Sequence, residues 1–194
     1  MKTSWTPEDR APRQHRDTAA ATPKGLIMIY TGDGKGKTTA ALGVAFRALG
    51  RKYRVAIVQF IKGQWKTGEH EFAKELAGRL DFFPMGDGFT WVTQNYEQDV
   101  ASAKRAWAKC LDLLADERYR IVIFDELCYV LTYNFLSQEE VLDALKRKPA
   151  RTHVILTGRD APDSLIAVAD LVTEMREIKH PYRAGIKAQP GIDY

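Results

Sequence analysis

The segment Tyr30–Thr39, Tyr-Thr-Gly-Asp-Gly-Lys-Gly-Lys-Thr-Thr, joins the apolar run Leu26–Ile29 to the helix-like Ala40–Leu49. A strand that passes through three closely spaced glycines into a helix makes a phosphate-binding loop, and the reason is local. Gly32, Gly34 and Gly36 let backbone N–H groups turn inward, the following helix presents its positive N-terminus, and Lys37 adds a point charge. Donors of one sign therefore converge on a polyphosphate. Thr38 stands where a hydroxyl joins the magnesium shell of a nucleotide, so magnesium is implied. The strict pattern G-x-x-x-x-G-K-[ST] wants glycine where this chain has Thr31. Threonine fits there only if the backbone needs no positive φ, which points to an altered path into the loop.

A chain of 194 residues, 45% of them hydrophobic, is long enough for one sizeable core and short for two. Residues 25–194 read as one domain. Residues 1–24, with three prolines, several arginines and little apolar besides Trp5, read as a flexible arm. No apolar run approaches the roughly 20 residues of a membrane span, and the first residues lack a signal-peptide core, so a cytoplasmic protein is expected. The cysteines, Cys110 and Cys128, form no C-x-x-C and suit a reducing compartment as packing residues. A formal charge of +4 is a mild excess that nucleotide phosphates alone account for.

Apolar strand-like runs alternate with helix-like ones, the pattern of a mostly parallel sheet covered on both faces. The strands are drawn at Leu26–Tyr30, Arg54–Ile61, Leu80–Pro84, Ile121–Asp125, Thr152–Thr157 and Leu171–Glu177, about six in all. The helices are drawn at Lys37–Leu49, Gly68–Ala77, Asn95–Ala115, Gln138–Lys146 and Pro162–Ala169. In the long one, Val100, Ala103, Trp107, Cys110, Leu111 and Leu114 make a core-facing stripe, which assigns Trp107 to the core. Ser137 and Glu140 read as a capping box, and Asp160 with Pro162 as another helix start.

The strand Ile121-Val122-Ile123-Phe124 ends in Asp125 and Glu126. In phosphate-loop folds such a strand is expected beside the loop strand, which brings its acids to the same crevice as Lys37. One carboxylate binds magnesium, directly or through water; spacing leaves open which. Lys62 and Arg159 follow other strand ends and are either further phosphate contacts or solvated charges. Phe89 and Trp91 lie in the glycine-bracketed segment Gly86–Asn95, where an aromatic pair either plugs the core edge or walls a flat ligand. The irregular tail His180–Tyr194 wraps either the site or the plain surface. The four histidines show no metal-ligand spacing.

Taken together, Thr31–Thr39, Val-Gln-Phe-Ile-Lys-Gly at 58–63, Gly-Phe-Thr-Trp at 88–91, Asp-Glu-Leu at 125–127, Thr-Gly-Arg at 157–159 and Lys-Ala-Gln-Pro-Gly-Ile-Asp-Tyr at 187–194 resemble the P-loop ATP:corrinoid adenosyltransferases. The resemblance covers nearly all of 25–194, Thr31 included. It implies a P-loop NTPase-like, RecA-like α/β domain that transfers the 5′-deoxyadenosyl group of ATP to corrinoid cobalt(I) and releases tripolyphosphate. ATP then lies on Gly32, Asp33, Gly34, Lys35, Gly36, Lys37, Thr38, Thr39 and Arg159. Thr38 and Glu126 match the magnesium positions, with Asp125 behind them. Phe89 and Trp91 match the pair that packs under the corrin ring and displaces its lower ligand; with Lys37 they are the catalytic candidates. The resemblance further implies a homodimer and a flavodoxin-type or flavin electron donor.

Two readings of other classes stand beside this one. A P-loop phosphotransferase or ATPase would use Glu126 to position water or an acceptor hydroxyl. A nucleotide-dependent binding module, for nucleic acid among other partners, has little support, since no recognition signature is present and the arginines are scattered.

Overall fold

The computed structural model describes residues 24–61, 67–86 and 95–194. Six strands form one parallel sheet: β1 (Ile27–Thr31), β2 (Arg54–Gln59), β3 (Leu80–Pro84), β4 (Tyr119–Asp125), β5 (His153–Thr157) and β6 (Leu171–Glu174), in the lateral order β3-β2-β4-β5-β1-β6. The helices are α1 (Lys37–Gly50), α2 (Gly68–Glu75), α3 (Tyr96–Ala115), α4 (Leu127–Thr132), α5 (Gln138–Arg147) and α6 (Asp163–Val168), followed by a 3-10 turn at Pro181–Ala184. This is the expected α/β architecture, with helices on both faces.

The period-two alternation of the central strands sorts them between two apolar layers. Met28, Val55, Ile57, Ile121, Ile123 and Ile155 point to one side, where Ala41, Ala45 and Ala48 of α1 and Ala73 of α2 meet them. Small alanines let α1 lie close against the sheet, which places its N-terminus at the end of β1. On the other side Ala56, Val58, Val122, Phe124, Val154 and Leu156 meet α3, α4 and α5. Trp107 of α3 is 2% exposed and meets Phe124 edge-on at 5.8 Å, so it belongs to the core as its spacing indicated. Cys110 and Cys128 are buried thiols. Burial pushes both up in pKa, Cys128 to about 12, which keeps them neutral packing residues.

Four expectations are corrected. First, β4 does not lie beside the loop strand: β5 separates them, pairing with β1 on one edge and β4 on the other. The acids still reach the loop because all strands run the same way and end at one edge. Second, Ser137 makes no capping bond; its hydroxyl donates to Glu139, so the Ser137–Glu140 box does not form. Third, Leu111 is 38% exposed and falls off the α3 stripe, where Leu113 takes its place beside the expected Leu114. Fourth, α4 was not foreseen, and β6 stops at Glu174 rather than Glu177. Among the described residues no helix is long and apolar enough to cross a membrane. The arm at residues 1–23 lies outside the described residues.

The indole Nε1 of Trp107 is buried without a hydrogen-bond partner among the described residues. Trp107→Ala should cost about 3–5 kcal/mol through the cavity it leaves. Trp107→Phe should cost markedly less, because it also removes the orphan donor. Denaturant midpoints at unchanged m-value check both.

Candidate active site

The loop after β1 owes its shape to what lies against it. Gly32 adopts φ +94, and a Cβ there would sit 2.5 Å from the Met175 carbonyl oxygen; at Gly34 it would sit 2.6 Å from the Arg176 carbonyl carbon. The strand-like continuation of β6 crosses so closely that only glycine fits at either position. Main-chain bonds lock the contact: Met175 N–H donates to Thr31 O, and Gly34 N–H to Met175 O, each at 2.7 Å. The Gly34 amide is thus committed to protein rather than turned inward. Thr31 closes β1 outside the left-handed region, which explains how it replaces a glycine. Its hydroxyl accepts from Ala161 N–H at 3.1 Å and ties the loop to the β5–α6 connection.

Gly36, at φ +118, turns the chain into α1, whose first residue is Lys37. The Lys37 ammonium folds back to donate to Gly32 O at 2.6 Å and Gly34 O at 2.8 Å. Burial, the largest influence, holds this ammonium below the ordinary lysine range; Glu126 opposes that shift and Arg159 adds to it.

Asp125, 1% exposed, sits beneath the loop. Its Oδ1 accepts from Thr38 Oγ1 at 2.8 Å and Thr157 Oγ1 at 2.7 Å, and its Oδ2 from Gln59 Nε2 at 3.0 Å. Three strand ends and the helix start meet on one carboxylate. Glu126 follows at φ +66, a left-handed conformation that costs a non-glycine residue of order 1–3 kcal/mol. Its N–H donates to Thr157 Oγ1 at 2.9 Å, and the residue lines the cavity beside the loop.

That cavity, of about 470 Å³, is lined by Lys35 to Thr39 of the loop and α1, Leu42, Gly68 and Glu69 at the start of α2, Glu126, and the tail residues Gly191 to Tyr194. The tail therefore wraps the site. Asp193 holds it there, accepting from Lys35 Nζ at 2.7 Å and from Gln189 N–H at 2.8 Å. Asp33 and Arg159 lie apart, 3.8 Å from each other, in a second polar cavity with Glu174, Arg176, Glu177 and Arg183. Lys62, Phe89 and Trp91 lie outside the described residues. The sequence reading did not single out Gln59, Thr157, Glu69 or Asp193. The first two stand at strand ends and were findable on that ground; Asp193 lies in the 187–194 motif but its place at the loop, like that of Glu69, becomes visible only when the chain is folded.

For magnesium, the test is the donor set. Thr38 and Glu126 offer hard oxygens beside Lys37, while both oxygens of Asp125 are already engaged by protein donors. No cluster of three His, Cys, Asp or Glu exists among the described residues. One carboxylate and one hydroxyl, completed by phosphate oxygens, would suit magnesium, which does not need an all-protein cage, so the residues fit.

Comparison with known proteins decides the family. The model of the ATP:corrinoid adenosyltransferase family BtuR/CobO/CobP matches residues 23–194. The chain belongs to that family. It is 50% identical over 173 residues to a corrinoid adenosyltransferase of Sinorhizobium, covering 88% of this chain and 81% of that one. It is 44% identical over 179 residues to the Escherichia coli K12 corrinoid adenosyltransferase, covering 92% and 90%. Among solved structures, the flagellar accessory protein FlaH of Methanocaldococcus jannaschii shares the fold, with TM-score 0.55 at 17% identity over 78% of this chain and 71% of that one.

A bound polyanion favours the charged form of Lys37 and raises its pKa. Nucleotide binding should therefore take up protons as pH climbs toward the free-lysine value of 10.5, and affinity should fall across that window. Calorimetry in buffers of different ionisation heat measures the uptake. Lys37→Arg, which stays charged, should abolish it.

Proposed function

We propose that the protein transfers the 5′-deoxyadenosyl group of ATP to the cobalt of a reduced corrinoid. The observation that carries this reading is the cavity itself: Lys37, the N-terminus of α1, Thr38 and Glu126 gather where a triphosphate would lie, in a chain of this family. In the reaction the cobalt(I) electron pair attacks C5′ of ATP, the C5′–O bond breaks, and its electrons leave on the triphosphate oxygen. The products are a cobalt–carbon bond and tripolyphosphate.

No water needs activating in this scheme, so the protein's task is electrostatic. Lys37 and the α1 amides stabilise charge as it gathers on the departing triphosphate. For Lys37 this means exchanging the carbonyls of Gly32 and Gly34 for phosphate oxygens, a short movement within the loop. Asp125 fixes the Thr38 hydroxyl, which with Glu126 would hold magnesium. That ion supplies neutralisation of the triphosphate charge. The tail, through Asp193 on Lys35, closes one wall and limits water access.

We assign Phe89 and Trp91 to the face of the corrin, where apolar rings exclude an axial donor and ease reduction of cobalt(II). ATP contacts extend over Gly32 to Thr39. Arg159, in the neighbouring cavity with Asp33, is assigned the outer end of the triphosphate. A cytoplasmic homodimer receiving electrons from a flavodoxin-type or flavin donor completes the proposal.

With chemically reduced cob(I)alamin, ATP and magnesium under anaerobic conditions, the protein should form a light-sensitive alkylcobalamin and one tripolyphosphate per cobalt. Lys37→Ala should lower the rate by roughly a hundredfold or more. ADP and orthophosphate as products would point to a phosphotransferase or ATPase instead. Phe89→Ala with Trp91→Ala should leave ATP affinity intact and impair turnover of cobalt(II) substrate under a mild reductant, followed by absorbance of the alkylated product.

A further inference from the structure

The nucleotide cavity contains a carboxylate that neither the phosphate contacts nor the proposed metal site uses. Glu69 lies in the first turn of α2 and lines the same cavity as Lys37, Thr38 and Thr39. Among the described residues nothing hydrogen-bonds or ion-pairs with it. The other two acids that line it are accounted for: Asp193 is engaged by Lys35 and Gln189, and Glu126 has interactions of its own and is assigned to the metal.

Its setting limits what it does. An ionised carboxylate only accepts hydrogen bonds. Beside a bound triphosphate such a group repels unless it meets a donor. The organic part of a nucleotide has two kinds of donor, the ribose 2′- and 3′-hydroxyls and the amino group of the base. The ribose is joined to the triphosphate through C5′, whereas the amino group sits on the far edge of the base. Two vicinal hydroxyls also match the two oxygens of one carboxylate. Thr67, directly before α2, is 2% exposed; among the described residues its hydroxyl has no partner and makes no capping bond, so the start of α2 is not spent on capping itself.

We infer that Glu69 reads the ribose: its carboxylate accepts hydrogen bonds from the 2′- and 3′-hydroxyls of the nucleotide whose triphosphate lies on Lys37, and so selects ribonucleotides over deoxyribonucleotides. The inference rests on the adenosyl-transfer reading only for the identity of that nucleotide.

The test is equilibrium binding of ATP, 2′,3′-dideoxyATP and tripolyphosphate to the full chain and to Glu69→Gln and Glu69→Ala. The unaltered protein should bind ATP roughly 10- to 100-fold tighter than the dideoxy nucleotide, as for hydrogen bonds to a charged acceptor. Both variants should lose most of that ratio through weaker ATP binding, while tripolyphosphate binds as well as before or slightly better. That control reports an intact fold and phosphate loop. A ratio unchanged in the variants overturns the inference, as does an equal loss for ATP and tripolyphosphate. A loss that follows the amino group instead, seen with purine riboside triphosphate, overturns it too. Failure to form alkylcobalamin from ATP, with the ribose ratio still dependent on Glu69, would remove the adenosyl-transfer reading and leave this one standing.

Discussion

The site depends on one buried carboxylate. Asp125 draws Thr38 from the start of α1, Thr157 from the end of β5 and Gln59 from the end of β2 onto its two oxygens. A carboxylate 1% exposed is tolerable only because each oxygen meets a donor, and losing the Gln59 bond would leave Oδ2 buried with none of these donors. Asp125 is therefore a structural anchor whose consequence is functional. It sets the height of α1 against the sheet edge, and with it the position of Lys37. Because Thr157 also accepts from the Glu126 N–H, the same network holds Glu126 in its left-handed turn toward the cavity.

A second constraint acts from the opposite flank. The chain leaving β6 lies so close to the loop that Gly32 and Gly34 have no room for a side chain, and the Thr31–Met175 and Gly34–Met175 bonds extend the sheet ladder into the loop itself. The loop is thus held on one side by the Asp125 network and on the other by an edge strand. β6 is exposed along its whole length and packs little apolar surface, so its attachment to β1 and to the loop is mainly main-chain hydrogen bonding. Rigidity at the phosphate site comes from polar geometry more than from burial.

The element order was readable because each central strand is a nearly unbroken apolar run and the starts of α1, α3 and α6 carry a glycine, an asparagine and a proline. Val55–Val58 and Ile121–Phe124 announce strands buried on both faces, and the Gly-Lys-Thr-Thr core announces the helix after the loop. Lateral order was not readable, since nothing in β5 records that it slips between β1 and β4. The short helix α4 hid within an apolar run only six residues long, too brief to show a helical period. Ser137 shows the limit of local rules: the right residues for a capping box stand at the right spacing, yet the hydroxyl finds Glu139 first. Asp193 and Glu69 carry no periodic signal, and only folding places them at the loop, 158 residues away in the case of Asp193 and Lys35.

The charge around the cavity bears on what the site is built to favour. Lys35 and Lys37 supply positive charge, but Glu69, Glu126 and Asp193 line the same space, and Lys35 is already paired with Asp193. Such a cavity is not a general sink for anions. A site of balanced charge discriminates by position, because each group rewards charge only where its geometry reaches. Lys37 is partly desolvated and satisfied by loop carbonyls, so in the proposed reaction moving it onto phosphate oxygens would replace neutral acceptors with charged ones, and the gain would grow as the triphosphate gathers charge. Stabilisation that strengthens as C5′–O separates is what a reaction with a triphosphate leaving group requires. The carboxylates nearby set the opposite condition, in which any part of the ligand meeting them must donate a hydrogen bond or carry a metal.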